Sequence, residues 1–308
     1  MTASPRSARN FTSHRPLEGI LWMVLSGISF VCVNGGVHHL GTALPSAESA
    51  FLRFLIGVLL LTPALVTTLR IGAPRHIWPL VGLRGFLHTL AVLFWFYAMA
   101  RIPVAEVTAI GYLSPIVVTV GAALFLGERL AFRRIAAIGV ALVGALIVLR
   151  PGLRELQPGH FAQLAASVFF GLSYIVAKRL ASVLPASALV ALMSLTVTIG
   201  LFPVAMLDWV WPTTSQYLWL LLVALFATSG HYCMARAFAT APVSMTQPVV
   251  FLQLVWATAL GWLAFGEAVD PYVILGGAVI IGAISYMSWR EAQIARAGAT
   301  PLPDAEKI

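Results

Sequence analysis

The chain has 308 residues, 60% of them hydrophobic and only 10% charged, with a formal net charge of +8. Together with a mean hydropathy of +0.92, this composition excludes an ordinary soluble domain and points to a protein solvated by a lipid bilayer. Two cysteines, Cys32 and Cys233, are too few for a disulfide framework or a cysteine metal cluster. A bilayer core about 30 Å thick needs roughly 20 apolar residues per helical span, and the sequence supplies ten such runs.

The first 16 residues carry Arg6, Arg9 and Arg15 ahead of an apolar stretch. They resemble a secretory signal, but no small-residue cleavage site follows, so they are expected to stay as a basic cytoplasmic segment over 1–18. Span one is predicted at 19–40, with Asn34 inside it and Gly35-Gly36 near its end, a pair that serves close packing first and a break in the helix second. Span two, 47–69, contains Arg53; span three, 78–100, contains Arg84, His88 and Trp95. Span four, 104–126, contains Tyr112 and a Ser114-Pro115 kink, and is followed by Glu128. Span five is predicted at 132–149, although Arg133 and Arg134 shorten its charge-free part. Span six, 160–182, contains Tyr174; span seven is 186–207; span eight, 216–238, contains His231 and Tyr232. Span nine, 243–265, contains Pro248, Gln253 and Trp256 and is followed by Glu267, and span ten is 271–289, before a tail over 290–308. The runs are continuously apolar, which favours helices over the short alternating strands of a barrel.

With both termini cytoplasmic, 14 of the 19 Lys and Arg residues fall in inside segments, the orientation that the positive-inside rule favours. The basic charge is then mainly a topology signal, and no nucleic-acid partner is expected.

Landmarks recur at a nearly constant offset. Leu44-Pro45 matches Leu184-Pro185 and Pro63 matches Pro203 at 140; Pro103 matches Pro242, and Gly127-Glu128 matches Gly266-Glu267, at 139. Gly139 with Gly277, and Gly144 with Gly282, match at 138. The slow one-way drift is what a duplication with small deletions leaves. Two repeats, 19–150 and 159–289, then hold five spans each. Because five is odd, the second enters the membrane from the opposite side, giving an inverted-topology repeat suited to alternating access.

The stretch "FYAMARIPVAEVTAIGYLSPIVVTVGAALFLGERL" (96–130), its echo "ARAFATAPVSMTQPVVFLQLVWATALGWLAFGEAV" (235–269) and "FLRFLIGVLLL" (51–61) resemble the drug/metabolite transporter superfamily, in its ten-helix EamA-type branch. That resemblance implies a central cavity lined chiefly by spans three, four, eight and nine, gated by movements that include spans one and six. It also implies small-molecule substrates, among them amino acids, vitamins, metallophores and drugs, in a bacterial-type inner membrane.

Inside the spans the charge is positive. Arg53 and Arg84 each need a partner or a wet cavity, at a cost of about 2.5 to 3.5 kcal/mol on insertion scales. Arg53 is expected to snorkel or to pair with Glu48 or Glu267, and Arg84 to lie near Glu128. Every Asp and Glu falls at a span end, which favours a carboxylate-bearing or zwitterionic substrate over a simple organic cation. Arg84, His88 and Trp95 share one helical face. With Asn34, Tyr112, Tyr174, His231, Tyr232, Gln253 and Trp256 they form the candidate substrate-binding set, an apolar pocket with a few placed polar groups. Arg53, Pro115, Glu128, Pro248 and Glu267 are candidates for structural or gating roles. No metal ligands occur at useful spacing, and no cofactor is expected.

The expected function is a secondary transporter that moves a small amphipathic metabolite, with export favoured over uptake. Uptake of S-adenosylmethionine or riboflavin-like compounds is the alternative within the family. An intramembrane lipid-modifying enzyme is the alternative of another class, against which stands the absence of H-E-x-x-H, G-x-S-x-G and paired aspartates. Coupling through His88 or His231, substrate exchange and facilitated diffusion are all compatible with the sequence, as is a homodimer built on the small residues of spans five and ten.

Overall fold

In lipid a backbone must satisfy its own polar groups, and an apolar run does so as a helix. A computed structural model describes residues 16–72, 74–126, 132–153, 155–180, 183–240 and 249–298, and among them the regular elements are helical. Helix α1 is Pro16–Leu40, α2 Ser46–Leu60, α3 Thr62–Ile71, α4 Trp78–Met99, α5 Val104–Gly111 and α6 Ser114–Leu126. Helix α7 is Phe132–Leu149, α8 Pro158–Leu180, α9 Ala186–Ala205, α10 Thr214–Thr240, α11 Gln253–Phe265 and α12 Pro271–Gly298.

Prolines and glycines set most of the boundaries. Pro45, Pro103 and Pro185 stand at the N-caps of α2, α5 and α9, where a missing N–H costs nothing. Gly41 and Gly266 follow α1 and α11 with φ of 56° and 65°, left-handed values that a glycine adopts without strain. Two predicted spans are broken. Span two bends by 66° between α2 and α3, because Pro63 cannot donate a hydrogen bond to the preceding turn. Span four breaks at Tyr112-Leu113, just ahead of Ser114-Pro115, where the residue before a proline resists helical geometry.

Among the described residues five helices are long and apolar enough to cross a membrane; the bent pair makes a sixth, and four shorter apolar helices stand at the remaining predicted spans. The protein is an all-α polytopic membrane protein. Span ten runs on to Gly298, past its predicted end.

The packing follows the repeat. By sequence offset α1 corresponds to α8, α2–α3 to α9, α4 to α10, α5–α6 to α11, and α7 to α12. The extensive α1–α10 contact has its image in α4–α8, and α4–α9 has its image in α2–α10. Contacts α1–α11 and α6–α8 are likewise images, while α2–α9, α5–α11 and α7–α12 map onto themselves. The two halves are thus interleaved, each span-one helix lying on the other half's third span.

Gly35-Gly36 does not break α1, which is continuous to Leu40. A Cβ at Gly35 would meet Leu260 at 2.5 Å and one at Gly36 would meet Val223 at 2.6 Å, so the pair admits α11 and α10 to the helix surface. Helices α7 and α12 cross backbone to backbone: a Cβ on Gly276 would stand 2.5 Å from the Gly144 carbonyl oxygen. Gly282, on the same helix, faces open space. Gly276→Ala should therefore push the helices apart and destabilise the fold by about 1 to 3 kcal/mol. Gly282→Ala should be neutral or stabilising, by up to about 1 kcal/mol. Thermal unfolding of the two variants in detergent checks the difference.

Candidate functional site

A cluster of basic side chains occupies the interior where the halves meet. Arg53 of α2 and Arg84 of α4 are 8% and 7% exposed. Both interact electrostatically with His88 of α4 and His231 of α10. Neither arginine has a carboxylate partner among the described residues. Arg84 donates through Nη1 to the Leu189 carbonyl at 3.0 Å and through Nη2 to Met193 Sδ at 3.3 Å. Arg53 lies over the Phe54 ring at 3.9 Å and takes neither of the expected partners. Glu48 instead accepts the Val210 N–H at 2.9 Å, and Glu267 is used elsewhere. The Nε atoms of both arginines are buried without a hydrogen-bond partner.

Aromatic rings floor this cluster. Phe170 of α8 meets His88 edge to face at 5.1 Å and Trp95 at 5.7 Å, and stacks on Tyr174 at 6.0 Å with an interplanar angle of 15°. His88 Nδ1 is 3.1 Å from the buried Ser173 hydroxyl. His231 packs against Phe30 of α1 at 5.0 Å. Tyr174 is within electrostatic reach of Arg84 yet 47% exposed, so it offers a free ring face beside the cations. The arrangement suits an anionic group held by guanidinium and imidazole with an apolar or planar body against the rings.

Arg84, His88, Trp95, Tyr174 and His231 are thus brought together, and Arg53, expected as a structural residue, joins them. The remaining candidates lie apart. Asn34 of α1 donates to Thr108 at 3.4 Å, and the Tyr112 hydroxyl donates to the Phe251 carbonyl at 3.3 Å, at the α1–α5–α11 junction. Tyr232 packs on Trp22 at 6.1 Å, and Gln253 lies against Gly27. Trp256 is 38% exposed on α11. Among the described residues none of these shares a hydrogen bond or ring contact with the basic cluster, which draws on spans one, two, three, six and eight rather than chiefly on three, four, eight and nine. Glu128 and Pro248 lie outside the described residues. A groove of about 340 Å³ between α7 and α12, near Phe132 and Tyr286, is peripheral, and none of its described lining residues is charged.

The acids gather at one end of the bundle, where α1, α4 and α11 finish and α5 and α8 begin. Both Glu267 carboxylate oxygens accept the Val104 N–H, at 3.2 Å each, capping the exposed amides of α5. His38 Nε2 is 3.3 Å from the same carboxylate. Burial pushes the Glu267 carboxyl above the usual carboxylate range, against the opposite influence of His38 and the Val104 N–H. Glu106 and His160 pair at 2.7 Å, both buried, and Arg150 pairs with Asp270. These contacts tie spans one, four, five, six, nine and ten together and close that end.

The EamA-like transporter family model matches residues 17–150 and 157–289, one match for each half. The chain belongs to the EamA-like transporter family. It is 28% identical to a riboflavin transporter of Vibrio cholerae, over 92% of this chain and 97% of that one. It is 29% identical to a pseudopaline exporter of Pseudomonas aeruginosa, over 88% and 96%. With an S-adenosylmethionine uptake transporter of Rickettsia prowazekii it shares 27% identity over 89% and 94%. A solved crystal structure matches with a TM-score of 0.59 at 21% identity, covering 92% of this chain and 97% of that one, a likeness of fold. The protein is a membrane-embedded transporter of small molecules and not an enzyme.

Sequence reading missed Phe170, Ser173, His38, Glu106 and His160. Glu106→Ala would take this acceptor from the buried His160 Nε2–H, and should destabilise the protein by about 1 to 3 kcal/mol. Glu106→Gln, which keeps an acceptor, should cost less; thermal unfolding of both in detergent measures the gap.

Proposed function

We propose that the protein is a secondary transporter that moves a small amphipathic solute bearing a carboxylate or other anionic group, such as an amino-acid-derived compound, a metallophore or a vitamin-like molecule. Movement is by alternating access across the inner membrane, with both termini cytoplasmic. The observation that carries this reading is the pair of buried arginines, Arg53 and Arg84, with no carboxylate partner among the described residues. An uncompensated buried cation is costly, and an anionic solute entering between them relieves that cost while bound.

Export is the favoured direction. A bacterial membrane is negative inside, and an anion leaving the cell gains about 2.3 kcal/mol per charge per 100 mV. A relative named as a pseudopaline exporter agrees with this sense of movement. The stacked Phe170–Tyr174 pair, with Tyr174 half exposed, supports a second reading in which a planar riboflavin-like or S-adenosylmethionine-like solute is taken up. Relatives carry those printed names.

Counterflow in proteoliposomes against a mixed metabolite panel tests the proposal. Accelerated exchange is expected for carboxylated solutes and weak exchange for their amides. Arg53→Lys and Arg84→Lys replace a planar fork by a point charge. Each should weaken transport of the carboxylate by about tenfold or more, the equivalent of one charge-assisted hydrogen bond, with a smaller effect on the amide. Equal losses for acid and amide would remove the anion site from the argument.

A further inference from the structure

Buried hydroxyls on these helices have a habitual acceptor, the carbonyl one turn back. Ser167 donates to the Gln163 carbonyl at 3.0 Å, Thr89 to that of Gly85 at 2.8 Å and Thr198 to that of Ser194 at 2.8 Å. Ser173 of α8 is fully buried and, among the described residues, makes no such bond. Its hydroxyl stands instead 3.1 Å from His88 Nδ1, across the contact between α8 and α4.

That hydrogen bond has two forms. Either the ring carries a hydrogen on Nδ1 and gives it to the serine oxygen, or the hydroxyl gives its hydrogen to a bare Nδ1. In the first form the serine hydrogen is left in a dry interior with no described acceptor, and it carries the full penalty of an unmade bond. In the second it is satisfied. A doubly protonated ring forces the first form. It also sets a third positive charge beside Arg53 and Arg84, with which His88 interacts, and no described carboxylate offsets it. The favoured ring is therefore neutral, with its hydrogen on Nε2.

Nε2 has no partner among the described residues, and unlike the Nε atoms of the two arginines it is not sealed from water. The ring is held edge to face by Phe170 of α8 at 5.1 Å and by Phe54 of α2 at 6.3 Å. His88 thus offers the basic cluster one more donor without one more charge.

We propose that Ser173 is a positioning residue for the solute: by donating to Nδ1 it fixes His88 as a neutral Nε2–H donor, which takes an acceptor oxygen of the solute and turns away an N–H or O–H in that place. The opposite tautomer would present a lone pair and reverse the preference. The arginines then read negative charge, while the imidazole reads a hydrogen-bond acceptor whether or not it is charged. The solute contact rests on the carrier reading given above, whereas the state of the His88 ring does not.

Nitrogen NMR of histidine-labelled protein in nanodiscs near neutral pH, without solute, decides the ring state, with the His88 signals identified by their loss in His88→Gln. The expected result is a hydrogen on Nε2 and an unprotonated Nδ1 that accepts a hydrogen bond. Ser173→Ala should abolish the sign of that bond at Nδ1, and Ser173→Thr, which keeps the hydroxyl, should restore it. A hydrogen on Nδ1 in the wild type overturns the proposal, as does an Nδ1 signal that Ser173→Ala leaves unchanged.

Counterflow with the panel of carboxylated solutes and their amides tests the contact itself. Ser173→Ala should raise the half-saturation concentration about 2- to 10-fold for acid and amide alike, the worth of one neutral hydrogen bond. The maximal rate should change less, and Ser173→Thr should recover most of the loss. The arginine variants differ, since their effect falls mainly on the acid. An unchanged half-saturation, or a fall in maximal rate alone, overturns the solute contact. A wild type that shows no counterflow with any panel member overturns the carrier reading instead, and the spectra still decide the ring. Should Ser173→Ala fail to fold, the wild-type spectrum is recorded with and without the fastest-exchanging panel member. A shifted Nε2 signal supports the contact, and an unmoved one overturns it.

Discussion

A charge inside a bilayer must be met by another charge, by hydrogen-bonding groups or by water, and the rest of this structure follows from how the chain obeys that constraint. Glu48, Glu106 and Glu267 stand at the ends of helices, where backbone amides or an imidazole receive them, and Asp270 is received by Arg150. Among the described residues no acid pairs with the two buried arginines. Arg84 is partly satisfied by the Leu189 carbonyl and the Met193 sulfur, while Arg53 has only the face of Phe54. A carboxylate in the same place would give a fully paired and inert core. On the proposed reading, cations left incompletely met keep the centre ready for an anionic solute, whose apolar part would lie against the surrounding rings.

The acid-rich end works by the opposite arrangement. Here the orphan amide of α5, the α1 imidazole and the Glu267 carboxylate satisfy one another, so three elements are held by one side chain. Such a clasp is strong only while all three groups are in register, since moving α1 or α11 strips partners from Glu267 all at once. Closure of this kind is all or none, and that suits a carrier that must not leave both ends ajar. The buried Glu106–His160 pair adds α8 to the same closure from the other half of the chain.

Much of the fold was legible because hydropathy, proline and glycine act locally. The ten apolar runs and the break before Pro115 follow from patterns within single segments, whereas α12 runs past the predicted end of span ten to Gly298 and the interleaving of the halves is visible only in tertiary contact. The bend at Pro63 was visible only as a repeat landmark, since a proline in an apolar run bends some helices and is absorbed by others. Gly35-Gly36 was legible as a place of close packing before a weak point, but the neighbours it admits, Leu260 and Val223, come only from tertiary contact. In the candidate site, Arg84, His88 and Trp95 were legible as one helical face. Phe170 and Ser173 were not, because nothing distinguishes them from packing residues until α8 is laid against α4. Glu267 with His38, and Glu106 with His160, are separated by 229 and 54 positions, and no local signal announces a pairing made by tertiary contact.

The repeat is symmetric in scaffold but not in chemistry. At an offset of 140 Arg53 corresponds to Met193, the residue whose sulfur Arg84 touches, and at 139 Arg84 and His88 correspond to Val223 and Ala227. Both buried arginines thus lie in one half, while His231 and the Phe170–Tyr174 rings come from the other. Two scaffolds of equal shape give two conformations of similar energy, one open to each side, and what separates them must come from residues that differ. By sequence offset the counterparts of Glu267 and Val104 are Glu128 and Val243, so both halves keep a carboxylate and a Pro-Val pair in sequence. The counterpart of His38 is Lys178. Where the scaffold is duplicated and the side chains on it are not, the two halves do not repeat one another's contacts, and a symmetric pair of states acquires a direction.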